Sequence, residues 1–570
     1  MPQLPETSAG FASATWEQLA PFYRELELAP VDAATLEAWL ARWSRLDELV
    51  SEAASLAMIA YTCDTSDEAK KVTHLRFSTE VMPQLEEVEV ALAKRFVAVG
   101  TDRADLQTTI RRFRTAIEIF REANVPLVSE AERLSAQYQQ ITGGMSAEWD
   151  GERVPLPRLA PFLKRPDRSV REAAWRAANQ PYVAARDELA VLFDRMVELR
   201  QNMAQNAGFA DFRDYSFAAK CRFDYTPADC ERLHDAIAEH VVPAALRALE
   251  QRRQRLGLEC LRPWDLAIDP WRATSPVPYR TVTELQDIAA RIFTVIDPDL
   301  GAEFQTMMSE GLLDLESRPG KAPGGYCDTL HARGRPFVFM NAAGVAEDVT
   351  TLLHEAGHCF HAFASHARPF IWQRHPGAES AELASMSMEL LASPHLARPT
   401  GYYSVADATS TRLEHLEDTL LSLAHIASVD AFQGWIYTNA QGGDAAARDQ
   451  AWLGLRDRFE PGIDWSGLEA ERIARWYRQL HIFLYPFYYI EYGIAQIGAL
   501  QVWRNARRNP RQAVAAYRRF LALGATRPLP DLYREAGAEL SFDAGLIGDL
   551  VAAVEAEMAE LRAALATAGA

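Results

Sequence analysis

The chain has 570 residues, 48% of them apolar and 24% charged, and a formal net charge of −19. This is the composition of a globular protein with a large core, long enough to divide into more than one lobe. The acidic balance sets the surface against nucleic acid and anionic membranes, so neither is expected as a partner, and no apolar run reaches the length of a bilayer span.

Six cysteines lie at 63, 221, 230, 260, 327 and 359, with no Cys-x-x-Cys pair. That is not the framework of a disulfide-stapled secreted domain. The start, Met-Pro-Gln-Leu-Pro-Glu-Thr-Ser, lacks the basic and apolar regions of a signal peptide, and a cytoplasmic location is expected. Basic clusters such as Arg111-Arg112-Phe113-Arg114 alternate with apolar or acidic residues and read as solvated helix faces.

After a short polar start, residues 31–142 read as long amphipathic helices. Leu36, Leu40, Trp43, Leu46 and Leu49 form one stripe. Between 143 and 160 an Asp150-Gly151 pair separates two short extended runs, a hairpin signal that breaks the N-terminal helical region from the main body. Helical patterning resumes from Lys164 to about Leu256, and again from about Val282 to Leu313. Tyr326–Leu330 and Phe337–Asn341 then read as two strands, with Gly334 in the turn. The Pro- and Gly-rich stretch 319–325 before them is not a phosphate-binding pattern. An edge strand here could pair main chain to main chain with an extended peptide, although a hairpin that only caps the next helix would read the same.

That next helix carries His354-Glu355-Ala356-Gly357-His358, inside apolar positions at helical spacing: Val349, Leu352, Leu353, Ala356, Cys359, Phe360 and Phe363. Residues four apart share a helix face, so His354 and His358 can direct two imidazoles at one metal ion, with Glu355 beside them as a candidate general base. Zinc suits two nitrogens and a carboxylate and leaves one position open for water. The third ligand must come from elsewhere. Two known spacings would place it at 364 or 377, which are Ala364 and Gly377. The run from Glu379 to Glu389 reads as a helix, and Glu379, Glu382 and Glu389 remain open candidates. Downstream, His481 is followed by Tyr485, Tyr488, Tyr489 and Tyr492. On one helix Tyr485, Tyr488 and Tyr492 would share a face with Tyr489 at its margin, phenols able to donate to an oxyanion.

Together Asp348 to His358, Glu382 to Glu389 and His481 to Tyr492 resemble the M3 family of zinc oligopeptidases, in particular the oligoendopeptidase F branch. The similarity is strong over about 320–495 and extends weakly back to Asp167–Ala174; the first 150 residues share only helical character. The resemblance implies a mainly α, two-lobed helical fold of the gluzincin type around a deep channel, with a small β-hairpin or sheet beside the zinc helix. It implies an N-terminal helical region over 1–160 and a catalytic domain over 161–570, with one zinc ion held by His354, His358 and Glu382. Glu355 would be the base. His481 and the following tyrosines would stabilise the transition state, the family's pair three apart mapping best onto Tyr489 and Tyr492, with Tyr485 the earlier one and Tyr488 a rival. The activity implied is hydrolysis of internal bonds in short peptides. A dipeptidyl carboxypeptidase of the angiotensin-converting type, or an inactive peptide-binding protein, are the alternatives.

Overall fold

The computed structural model describes residues 3–272 and 276–568. The chain is mainly helical, with five short strands among the described residues. It gathers into two compact units, each assembled from three stretches. The first takes 1–118, 276–408 and 498–540; the second takes 119–275, 409–497 and 541–570.

In the first unit, the helix Leu36–Cys63 buries the stripe read from the sequence, from Leu36 through Leu49, together with Trp39. These side chains share a core with Phe96, Ile110 and Phe370, and each large apolar group buried there contributes about 1.5–3 kcal/mol. The polar start is more ordered than expected. A helix runs from Trp16 to Leu28, opened by a capping box in which Gln18 accepts from the Thr15 N–H at 3.0 Å, and Leu19, Tyr23 and Leu26 are buried. Pro21 inside it weakens the helical signal in the sequence, because proline removes a backbone donor.

The helical segment expected to reach Leu313 is two helices, Val282–Ile296 and Pro298–Ser309, followed by a strand. With β1 (Ser146–Trp149) and β2 (Glu152–Pro155) forming a separate hairpin, this strand is β3 (Leu313–Glu316); β4 (Tyr326–Leu330) and β5 (Arg335–Ala342) complete a three-stranded sheet ordered β3-β5-β4. β5 is central and its residues 336–340 are all buried, which is why it reads as a continuous apolar run. β4 pairs with it antiparallel, Cys327 opposite Val338, and lies at the sheet edge. The Pro- and Gly-rich loop before β4 is held by Lys321. Its side chain is fully buried, bonding the Asp314 carboxylate at 2.9 Å and the carbonyls of Glu316 and Met340 at 2.9 and 2.6 Å. The lysine is committed to the protein's own oxygens.

β5 leads directly into the helix Ala346–Ser365, here the motif helix. The Asp348 carboxylate fixes the junction. It accepts the N–H groups of Ala343, Gly344 and Val345 at 2.8–2.9 Å and the Tyr279 hydroxyl proton. The N–H groups of the turn entering the helix are thereby satisfied, and a negative charge sits at the positive end of the helix dipole. The helix Ala378–Ala392, here the acidic helix, packs against the motif helix at close range. A Cβ on Gly357 would lie 2.5 Å from Ser385 Cα, so only glycine allows this approach.

In the second unit, β1 and β2 pair through Asp150 and Gly151, both with positive φ (52° and 81°), as a two-residue hairpin turn requires. The stretch from His481 to Tyr492 is not one helix. A short helix spans Leu480–Leu484, the chain breaks at 485–488, and a new helix begins at Tyr489. Pro486 and the left-handed Phe487 (φ 61°) cause the break. The Phe487 N–H donates to Gln433 Oε1 at 2.7 Å, and the buried Arg200 holds the carbonyl of Ile482 at 3.2 Å.

Candidate active site

Two clusters of chemically competent groups stand out, one in each unit. In the first, the motif helix presents His354 and His358 from consecutive turns, with ring centroids 5.0 Å apart and ring planes at 82°. From the acidic helix Glu382 reaches the same point. Its Oε2 lies 3.4 Å from His354 Nε2 and 3.9 Å from His358 Nε2, and one ligand atom from each of the three residues lies within 4.8 Å of the others. Two imidazole nitrogens and one carboxylate oxygen, converging from two helices locked together at Gly357, fit a single metal ion with a coordination position left over.

The surrounding groups fix these donors. Glu389 Oε1 sits 2.6 Å from His354 Nδ1, so this carboxylate orients the ring and directs the other nitrogen into the cluster. Ser385 Oγ donates to Glu382 Oε2 at 3.1 Å. Glu379 is buried in the first turn of the acidic helix and does not join the three ligand atoms. The three acidic candidates of one helix thus occupy three separate positions.

Electrostatics follow from burial. The His358 imidazole is pushed down to about 4, chiefly by desolvation, so it is neutral and its lone pair is available near pH 7. Burial also opposes charge on His354, but the hydrogen bonds and negative charges of Glu382 and Glu389 outweigh it and raise that ring well above the usual range. A site that draws a proton this strongly onto a nitrogen is one that favours a cation. Glu355, adjacent in sequence, is 9% exposed, and its carboxyl is pushed up to about 7 by burial and by the charges of Glu382 and Glu389, against the opposing effect of His354. The Cys327 N–H of β4 donates to it, tying Glu355 to the edge strand. Replacing Glu389 by alanine should weaken metal affinity about 10–100-fold while leaving Glu382 in place, measurable by competition with a chromophoric chelator.

The second cluster centres on His481. Its ring centroid lies 5.9 Å from that of Tyr485, 6.0 Å from Tyr488, 4.9 Å from Tyr489 and 6.0 Å from Tyr492. The break at 485–488 brings all four tyrosines around the imidazole, in place of three on one helical face. Tyr485 is 53% exposed, whereas Tyr489 and Tyr492 are part-buried with ring centroids 5.7 Å apart. Sequence reasoning missed His425 and Gln479, which reach Tyr489 from positions that no local pattern marks.

The first cluster has the donor set of a helical metallopeptidase centre, two imidazoles and a carboxylate. A model of peptidase family M3 matches residues 162–550 and one of the M3 N-terminal domain matches 10–114. The chain belongs to peptidase family M3, in the oligoendopeptidase F branch. It is 22% identical over 403 residues to an oligoendopeptidase F homolog of Borreliella burgdorferi, covering 67% of this chain and 63% of that one. To oligopeptidase PepF of Bacillus subtilis it is 22% identical over 406 residues, 67% and 55% of the two chains. These alignments span less than two thirds of the relatives' own length. Among solved structures, PZ peptidase A in complex with an inhibitor superposes with a TM-score of 0.87 at 27% identity over 98% of both chains. Oligoendopeptidase F from Enterococcus faecium shares the fold, with a TM-score of 0.63 at 16% identity over 96% of this chain and 97% of that one.

Proposed function

We propose that this chain is a zinc-dependent endopeptidase that cuts internal bonds of short peptides. The observation that carries this reading is the convergence of His354, His358 and Glu382 ligand atoms within 4.8 Å, with Glu355 one residue along the same helix. Held by those three side chains, a single zinc ion would supply the Lewis acidity that peptide hydrolysis needs near neutral pH. Glu355 takes the proton of the attacking water and passes it to the leaving amine, a task suited to a carboxyl raised toward 7. From the family resemblance, His481, Tyr489 and Tyr492 donate hydrogen bonds to the oxyanion that forms, with Tyr485 and Tyr488 beside them. Removal of one such donor costs about 10²–10³-fold in turnover.

The matches over 162–550 and 10–114 support a catalytic domain in 161–570 behind an N-terminal helical region. Short peptides as substrates follow the names of the relatives, which are oligoendopeptidases and oligopeptidases. Among the described residues no helix is long and apolar enough to cross a membrane. A cytoplasmic location is part of the proposal, supported by six scattered cysteines that do not form the framework of a disulfide-stapled domain.

Mass spectrometry of a length-graded peptide mixture, with and without a zinc chelator, tests the reading. Internal cuts in short peptides, abolished by chelator and restored by zinc, are expected. Stepwise release of C-terminal dipeptides would instead make it a dipeptidyl carboxypeptidase, and no cleavage by zinc-loaded protein would leave only peptide binding.

A further inference from the structure

Tyr489 stands closest to His481 of the four tyrosines, and a line of hydrogen bonds runs back from its hydroxyl into the second unit. Gln479, the residue before the short helix Leu480–Leu484, donates its amide Nε2 to Tyr489 Oη at 2.5 Å. Its Oε1 lies 3.1 Å from His425 Nε2. On the far side of that ring, Nδ1 lies 2.9 Å from both Arg456 Nη1 and Glu460 Oε1. These residues come from separate elements: His425 from the helix Val405–Thr438, Arg456 from Ala445–Phe459 and Tyr489 from the start of a third helix.

The direction of the bonds in this line follows from Arg456 together with the orientation of the Gln479 amide. A guanidinium has donors only, and this one is buried with an N–H aimed at Nδ1. Glu460 meets Arg456 and Arg475 through its Oε2, while its Oε1 also faces Nδ1. The Gln479 amide, with its oxygen toward Nε2 and its nitrogen toward Tyr489, matches the case in which Nδ1 accepts from Arg456. Burial and the charges of Arg456 and Arg475 hold His425 well below the usual imidazole range, so the ring is neutral and carries its one proton on Nε2. That N–H donates to Gln479 Oε1, which turns the amide so that its NH₂ faces Tyr489. The phenol oxygen then accepts, and its single proton is left to point away from the line.

We infer that Gln479 and His425 are positioning residues that hold the Tyr489 hydroxyl as a one-way donor, its proton reserved for the oxyanion of the substrate. This rests on the reading of Tyr489 as an oxyanion donor given above. The opposite polarity, with Nδ1–H donating to Glu460, would flip the amide and make Tyr489 give its proton to Gln479.

Steady-state kinetics on a short fluorogenic peptide separate the cases, with zinc content and circular dichroism checked for each zinc-loaded variant. Tyr489→Phe should lower kcat about 10²–10³-fold with KM unchanged. Gln479→Glu should lose about as much, because an ionised carboxylate only accepts and captures the Tyr489 proton; the loss should deepen as pH rises and that carboxyl ionises. Gln479→Leu should lower kcat in the wild-type background and cause no further loss on top of Tyr489→Phe. Wild-type kcat in Gln479→Glu overturns the inference, since that is what the opposite polarity allows. Equal losses from Gln479→Leu in both backgrounds also overturn it, by showing a role that does not pass through Tyr489. If Gln479→Glu does not fold, the Gln479→Leu cycle decides alone. Wild-type kcat in Tyr489→Phe would instead sink the reading of Tyr489 itself.

Discussion

Glu355→Gln should retain a full equivalent of zinc and lose about 10²–10⁴-fold in kcat, the range general acid–base catalysis supplies. Glu355 lies between the two histidines in the sequence of the motif helix, and glutamine keeps its shape and can still accept from the Cys327 N–H. What glutamine lacks is the ability to take and return a proton. A second consequence follows from burial. In the unfolded chain the carboxyl ionises near 4.3, but in the folded chain only near 7, so folding favours the protonated form across that window. Stability is therefore lost as pH rises through the window, by roughly 3–4 kcal/mol above it. Chelator-treated Glu355→Gln, free of this burden, should melt at a higher temperature than chelator-treated wild type at pH 8, and at nearly the same temperature at pH 4. A carboxyl destabilised by its surroundings, if it serves as the proposed base, is a stability–activity trade-off at one residue. Normal turnover in Glu355→Gln would remove Glu355 from the mechanism.

His358→Ala should abolish both metal content and hydrolysis. The ring supplies one of only three donors, and burial already keeps it neutral with its lone pair free. Truncation leaves one imidazole and one carboxylate, too few for tight zinc binding. After dialysis the variant should hold less than about a tenth of an equivalent of zinc, against one in the wild type, with an unchanged helical circular dichroism spectrum. The spectrum should persist because the helix is held elsewhere, by the Asp348 cap and the Gly357 contact. Full zinc occupancy in His358→Ala would place the metal outside this cluster.

Much of this architecture is legible in the sequence wherever local periodicity and local chemistry agree. The stripe in Leu36–Cys63, the Asp150-Gly151 turn and the β4–β5 hairpin with Gly334 at positive φ are of that kind. So is the pair of histidines four apart on one helix. What escaped depends on partners distant in sequence. β3 is four residues, recognisable as a strand only through its parallel pairing with β5. The three carboxylates at 379, 382 and 389 are equivalent by composition, and only helix packing at Gly357 assigns one to the imidazole Nε2 atoms and another to Nδ1. The tyrosine stretch misled by a different route. Its spacing suits a continuous helix, but proline at 486 removes a donor, the chain turns at Phe487, and four phenols gather around His481 instead. The line from Arg456 through His425 and Gln479 to Tyr489 draws on residues scattered from 425 to 489, in three helices and the residue before a fourth, and leaves no periodic trace.

The central claim, one zinc ion on His354, His358 and Glu382, is tested most directly by an anomalous difference map at the zinc edge from crystals of zinc-loaded protein. The expected result is a single peak about 2.0–2.2 Å from the Nε2 atoms of His354 and His358 and one oxygen of Glu382, with Glu389 still on His354 Nδ1. A peak bound by Glu389 or Glu379 in place of Glu382, or lying away from these histidines, would contradict it.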